Sequence, residues 1–121
     1  MTCVILAEDE DDVRYALSLA LRKSGFEVIE ARNGKDNAIE QGLASADVVV
    51  TDILMPDRDG IELIVDLRTR APHLPVIAIS GGGRVSGADY LETAEALGVF
   101  ATFQKPFDEN DLIAAVRAAA A

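Results

Sequence analysis

The chain has 121 residues, 50% of them hydrophobic, with four Phe, two Tyr, no Trp and a single Cys. That is one domain's worth, residues 1–121, able to bury roughly two-thirds of its unfolded surface around an aliphatic core without staples. Twenty-one acids against eleven bases give a net charge of −10, which argues against nucleic acid or an anionic membrane as a direct partner.

Val4–Ala7 is a short apolar run that stops at five consecutive carboxylates, Glu8 to Asp12. Cys3 precedes it and reads as a buried thiol with no disulfide partner. Val13, Ala16, Leu17, Ala20 and Leu21 then fall on one helical face. Asp11 and Asp12 lie where this helix begins, where its dipole and free N–H groups favour negative charge. Phe26–Glu30 alternates and suits an edge strand. Lys35–Ala44 is a weak helical pattern interrupted by Gly42, and Asn33–Gly34 is not a hairpin because no strand-like run follows.

Val48–Thr51 and Val76–Ile79 are apolar on both faces and rich in β-branched residues, as central parallel strands are. Between them Ile61, Leu63, Ile64 and Leu67 mark a third helix. Ala88, Leu91, Ala94 and Leu97 mark a fourth, with Gly98 placed to close it. Phe100–Phe103 is a weaker strand. Leu112, Ile113 and Val116 mark the last helix, with Asp108 as its N-cap and an Ala-rich end expected to fray. No apolar run reaches the length of a membrane span, and the N-terminus lacks a signal-peptide pattern, so a cytoplasmic location is the default.

Five βα units in a row predict an α/β fold: a five-stranded parallel sheet, doubly wound by five helices, with right-handed connections. The common strand order for such a sheet is 2-1-3-4-5, and ligands bind beyond the carboxyl ends of its strands. Glu8 and Asp9 follow the first strand, Asp52 the third, Ser80 the fourth, and Gln104, Lys105 and Pro106 the fifth. With strands about 4.8 Å apart, three carboxylates, a hydroxyl and an ammonium meet at one sheet edge. Clustered carboxylates call for a hard divalent cation, Mg²⁺ above all. A carboxylate can also attack phosphorus and form an aspartyl phosphate. Asp52, on a central strand, is the best-placed nucleophile. The cation and Lys105 would neutralise charge, and Ser80 would donate to a phosphoryl oxygen.

Four fragments, "ILAEDED", "VVVTDILMPDRDG", "PVIAIS" and "QKPF", in this order along essentially the whole chain, resemble a response regulator receiver domain of two-component signalling, of the single-domain chemotaxis-receiver kind. The resemblance implies a flavodoxin-like receiver fold and a phosphoprotein. A histidine kinase or histidine phosphotransfer protein would pass its phosphoryl group to Asp52 in a Mg²⁺-dependent reaction. Asp9, Asp52 and the backbone carbonyl of Leu54 would ligate Mg²⁺, with Glu8 acting through water. Ser80 and Lys105 would meet the phosphoryl group, and the Lys105–Pro106 bond would be cis, as proline permits.

By the same resemblance, phosphorylation would draw Ser80 inward and switch the surface formed by helix 4 (about Gly87 to Leu97), strand 5 and helix 5. That surface would then control a downstream protein target. Such a domain is no enzyme in its own right and assists only its own phosphorylation and dephosphorylation. It would either stand alone or belong to a larger regulator or hybrid kinase.

The chain departs from the family pattern at three places. Thr102 stands where relatives usually carry a switch aromatic, and Phe100 shares its strand face. Either no aromatic switch operates or Phe100 replaces it in part. Gly81, Gly82 and Gly83 should loosen the loop after the fourth strand. Leu54 and Gly82 occupy positions that tune phosphate lifetime in relatives.

Other residues have plainer readings: Asp57 and Asp59, beside Gly60, as turn and helix-start residues, Met55–Pro56 as a loop constraint, His73 in a surface loop, and Tyr15 and Tyr90 on helices. Two rival functions remain. One is an interaction module with a receiver fold that works without phosphorylation, opposed by the intact acid set, Ser80 and Lys105. The other is an aspartyl-phosphate phosphatase, which commonly places a second acid where this chain has Leu54.

Overall fold

The computed structural model describes residues 1–53, 60–81 and 87–121. Five strands, β1 (Cys3–Ala7), β2 (Glu27–Ala31), β3 (Val48–Asp52), β4 (Val76–Ser80) and β5 (Ala101–Gln104), alternate with five helices. These are α1 (Asp11–Lys23), α2 (Asn37–Gly42), α3 (Gly60–Arg70), α4 (Gly87–Ala96) and α5 (Glu109–Ala120). All strand pairs are parallel, and the order is β2-β1-β3-β4-β5, as the sequence predicts.

β1, β3 and β4 are buried along their whole length, because helices cover both faces of the sheet. Alternate side chains of each strand enter opposite cores. Ile5, Val49 and Ala78 pack with Leu63 and Leu67 of α3 and Leu91 of α4. Val4, Val50 and Ile77 pack with Leu17 and Leu21 of α1 and with Leu112 and Val116 of α5. β2 is the edge strand expected from its alternation, with Glu27 and Glu30 exposed; charged side chains protect such an edge from pairing with another chain.

Register carries these cores to the functional edge. Ala7 pairs with Thr51, Asp52 with Ile79, and Ser80 with Gln104, so the residues after these strands are neighbours. At the opposite end, Asp47 grips the start of β1 twice. Its Oδ2 accepts from the Cys3 N–H at 2.8 Å, and its own N–H donates to the Cys3 carbonyl at 2.8 Å.

Some local expectations are corrected and others hold. On α1, Leu17 and Leu21 are buried but Ala16 is exposed; Ser18 is buried in its place, its Oγ accepting from Arg22 Nε at 3.0 Å. Gly42 ends α2 instead of interrupting it. A Cβ there would lie 2.8 Å from Ile29 Cδ1 and 3.3 Å from Ile5 Cδ1, so the missing side chain lets α2 press onto the sheet. The helix is also shorter than Lys35–Ala44, beginning where Asp36 caps the Ala38 N–H at 3.0 Å. The terminal Ala run keeps helical form through Ala120. Asp108 caps α5, accepting from the Asn110 N–H at 2.8 Å, and Gly98 closes α4 at φ +83°.

Candidate functional site

Burial and register place the acids. Glu8 follows β1 directly, and its N–H donates to the Ala31 carbonyl of β2 at 3.0 Å. Its side chain is buried, as is that of Asp52. Asp9 is half-buried. Each of the three offers a carboxylate oxygen within 4.8 Å of the others, so the sequence-predicted acids of β1 and β3 do converge.

Lys105 comes from the far side of this edge. Its N–H donates to the Ser80 carbonyl at 2.8 Å, and the Lys105–Pro106 bond is cis, as expected. Its Nζ donates to Asp52 Oδ2 at 2.8 Å and to Glu8 Oε1 at 2.9 Å. One ammonium thus bridges two buried carboxylates. Burial alone would pull the Lys105 ammonium down, but its bonds to Asp52 and Glu8 outweigh that and hold it above its ordinary value. The Glu8 carboxyl is pushed up to about 7, first by burial and then by Asp52, against the opposing pull of Lys105 and the Glu10 N–H.

Ser80 is fully buried, its Oγ donating to the Gly81 carbonyl at 3.3 Å. Thr51 donates its hydroxyl to the Asp52 carbonyl at 2.9 Å.

The donor set fits a divalent cation. Carboxylate oxygens are hard ligands. Lys105 brings one positive charge to three carboxylates, and a divalent ion would balance the remaining two. Glu8, Asp9 and Asp52 are the residues that could hold it.

Sequence reasoning missed two residues at this edge. Gly60, the first residue of α3, lies against the end of β3: a Cβ there would fall 2.3 Å from the Asp52 carbonyl oxygen and 2.7 Å from Ile53 Cα. Its N–H donates to the Ile53 carbonyl at 2.7 Å. Arg14, on α1, donates from Nη1 to the Glu8 carbonyl at 2.9 Å. The Gly after "DRD" hinted at the first; nothing in the spacing marked the second.

Of the expected switch residues, Ser80 ends β4 beside this cluster, whereas Thr102 and Phe100 lie away from it. Thr102 Oγ1 donates to Glu95 Oε1 of α4 at 3.4 Å. Phe100 precedes β5 and is 50% exposed. Phe103, on the other face, packs on Phe107 with ring centroids 5.4 Å apart. Leu54, Met55, Pro56, Asp57, Asp59, Gly82 and Gly83 lie outside the described residues.

Residues 4–117 match the family model for the response regulator receiver domain. The chain belongs to that family. It is 33% identical over 117 residues to the transcriptional regulatory protein PdtaR of Mycobacterium tuberculosis, covering 96% of this chain and 55% of that protein. It is 35% identical over 119 residues to the KDP operon transcriptional regulatory protein KdpE of Escherichia coli, covering 98% and 51%. The receiver thus spans about half the length of these relatives. A receiver domain protein from Clostridium thermocellum has the same fold, with a TM-score of 0.91 at 26% identity over 99% of this chain and 94% of that one. Phosphorylation and Mg²⁺ are expected of this family in two-component systems. No helix among the described residues is long and apolar enough to cross a membrane.

Proposed function

We propose that residues 1–121 form one phosphoacceptor unit, which takes a phosphoryl group from a histidine kinase or histidine phosphotransfer protein onto Asp52. The observation that carries this is the Lys105 ammonium, 2.8 Å from Asp52 and 2.9 Å from Glu8 at the carboxyl edge of the sheet. An Asp52 carboxylate oxygen attacks phosphorus, forming the acyl phosphate. The phosphorus–nitrogen bond to the donor imidazole breaks, and its electron pair returns to the ring. Phosphoryl transfer of this kind needs positioning and charge neutralisation more than covalent help.

Lys105 stays beside Asp52 and meets the charge on the transferred group. Ser80 Oγ turns from the Gly81 carbonyl to donate to a phosphoryl oxygen. Asp9 and Asp52 would hold Mg²⁺, with Glu8 behind them and the Leu54 carbonyl as a further ligand. When bound, Mg²⁺ supplies neutralisation of the phosphoryl oxygens. The movement of Ser80 biases α4, β5 and α5 between two arrangements, through which a downstream protein target is controlled. Thr102, joined to Glu95, and the exposed Phe100 lie on that surface; either it works without an aromatic switch, or Phe100 replaces that switch in part.

The test is incubation with acetyl phosphate and Mg²⁺, followed by intact mass. One phosphoryl adduct is expected, absent in Asp52→Asn. No adduct on the wild type, or one that persists in Asp52→Asn, overturns the reading.

A further inference from the structure

Arg14 makes contacts that phosphoryl transfer does not require of it. Its guanidinium reaches three segments at once. Nη1 donates to the Glu8 carbonyl at 2.9 Å, Nη2 pairs with Asp11 in the first turn of α1, and Nε lies 3.6 Å from Glu30 Oε1 on β2. Its side chain is only 11% exposed. The loop carrying Glu8 and Asp9 is therefore tied on both sides, by Arg14 and by the Glu8 N–H on the Ala31 carbonyl. Within it, Glu8 Oε2 accepts from the Glu10 N–H at 3.1 Å.

We infer that Arg14 is a positioning residue for the cation site, acting through the backbone of Glu8. The inference rests on the proposed reading only in taking Mg²⁺ as the ligand of Glu8, Asp9 and Asp52. Its physical content is a sign. Arg14 is a cation beside a site for another cation, so if its charge were all that mattered, removing it would tighten Mg²⁺ binding. If its fork holds the acid-bearing loop in place, removing it loosens binding, because outer contacts that orient ligands govern affinity. Lysine would keep the charge but lose the planar fork.

The experiment is calorimetric titration of the full chain with Mg²⁺ in wild type, Arg14→Ala and Arg14→Lys. Amide hydrogen exchange at Asp9 and Glu10 is measured on the metal-free proteins. Arg14→Ala is expected to weaken Mg²⁺ about tenfold, the lower end of the range for outer-shell partners. Arg14→Lys is expected to recover little of this, with faster exchange at Glu10 in both. Unchanged or tighter Mg²⁺ binding in Arg14→Ala overturns the inference and leaves the phosphoacceptor reading standing. If Arg14→Ala does not fold by circular dichroism, Arg14→Lys decides: wild-type affinity there overturns it, and weakened binding supports it. A wild type indifferent to Mg²⁺ sinks the reading beneath it as well.

Discussion

Two ion clusters in this protein share a composition, one cation between two carboxylates, and differ in their surroundings. Lys105 sits between Glu8 and Asp52, whose side chains are 2% and 5% exposed. Arg70, near the other end of the sheet, sits between Glu40 at 2.8 Å and Asp66 at 2.7 Å, with side chains 59% and 29% exposed. Water screens the second cluster, so it ties α2 to α3 with little net energy. Desolvation governs the first. There a proton and an ammonium compete for the same oxygens, and a divalent cation would join them under the proposed function. The same pairing is a surface tether in one place and a charge-sensitive site in the other.

Removing the bridging cation separates the two most clearly. Lys105→Ala in metal-free protein at pH 8 should cost about 3 kcal/mol in urea unfolding, because it strands buried carboxylates, and added Mg²⁺ should recover part of the loss. A cost below that of Arg70→Ala would erase the distinction. Gly60→Ala comes next, at about 2 kcal/mol, since a Cβ placed 2.3 Å from the Asp52 carbonyl oxygen must push α3 or β3 aside. Asp52 phosphorylation by acetyl phosphate should slow with it, and a rate equal to wild type would show that the buried cluster tolerates displacement.

The pH response is of similar or smaller size. Glu8 is held above its ordinary 4.5, at about 7, so between those values the folded protein binds more protons than the unfolded chain. Metal-free stability should therefore fall as pH rises through that window, and Glu8→Gln should flatten the decline. A rising curve would contradict the burial of Glu8. Arg70→Ala is the smallest effect, about 0.5 kcal/mol, and it should shrink further in 1 M salt, where the Debye length is about 3 Å.

The difference between the clusters also explains what the sequence revealed. β1, β3 and β4 are apolar on both faces, so a carboxylate or hydroxyl directly after each run stands out. That is why Glu8, Asp52 and Ser80 were legible, and the βα alternation set them side by side. The Arg70 tether joins residues 30 apart on two helix surfaces, where charged side chains are ordinary and spacing says nothing. Arg14 was hidden for a related reason: its partner at Glu8 is a backbone carbonyl, which has no letter of its own. Gly60 and Gly42 were read as punctuation, yet their role is close approach, visible only once Asp52 and Ile29 lie against them. Ser18 was lost to the apolar pattern because Arg22 satisfies it inside the helix.

The grip of Asp47 on Cys3 has a consequence for how the site comes into being. A slip of one residue between β1 and β3 would exchange the faces of β1 and move Glu8 out of step with Asp52. The two hydrogen bonds at Asp47 lock the pairing at the start of β1, roughly 16 Å from the acids by strand rise. The register that aligns the acids is thus held in part far from them, as the teeth of a zip are aligned at its base. The order in which the Cys3 and Glu8 amides gain exchange protection during refolding would trace that closure along the strand.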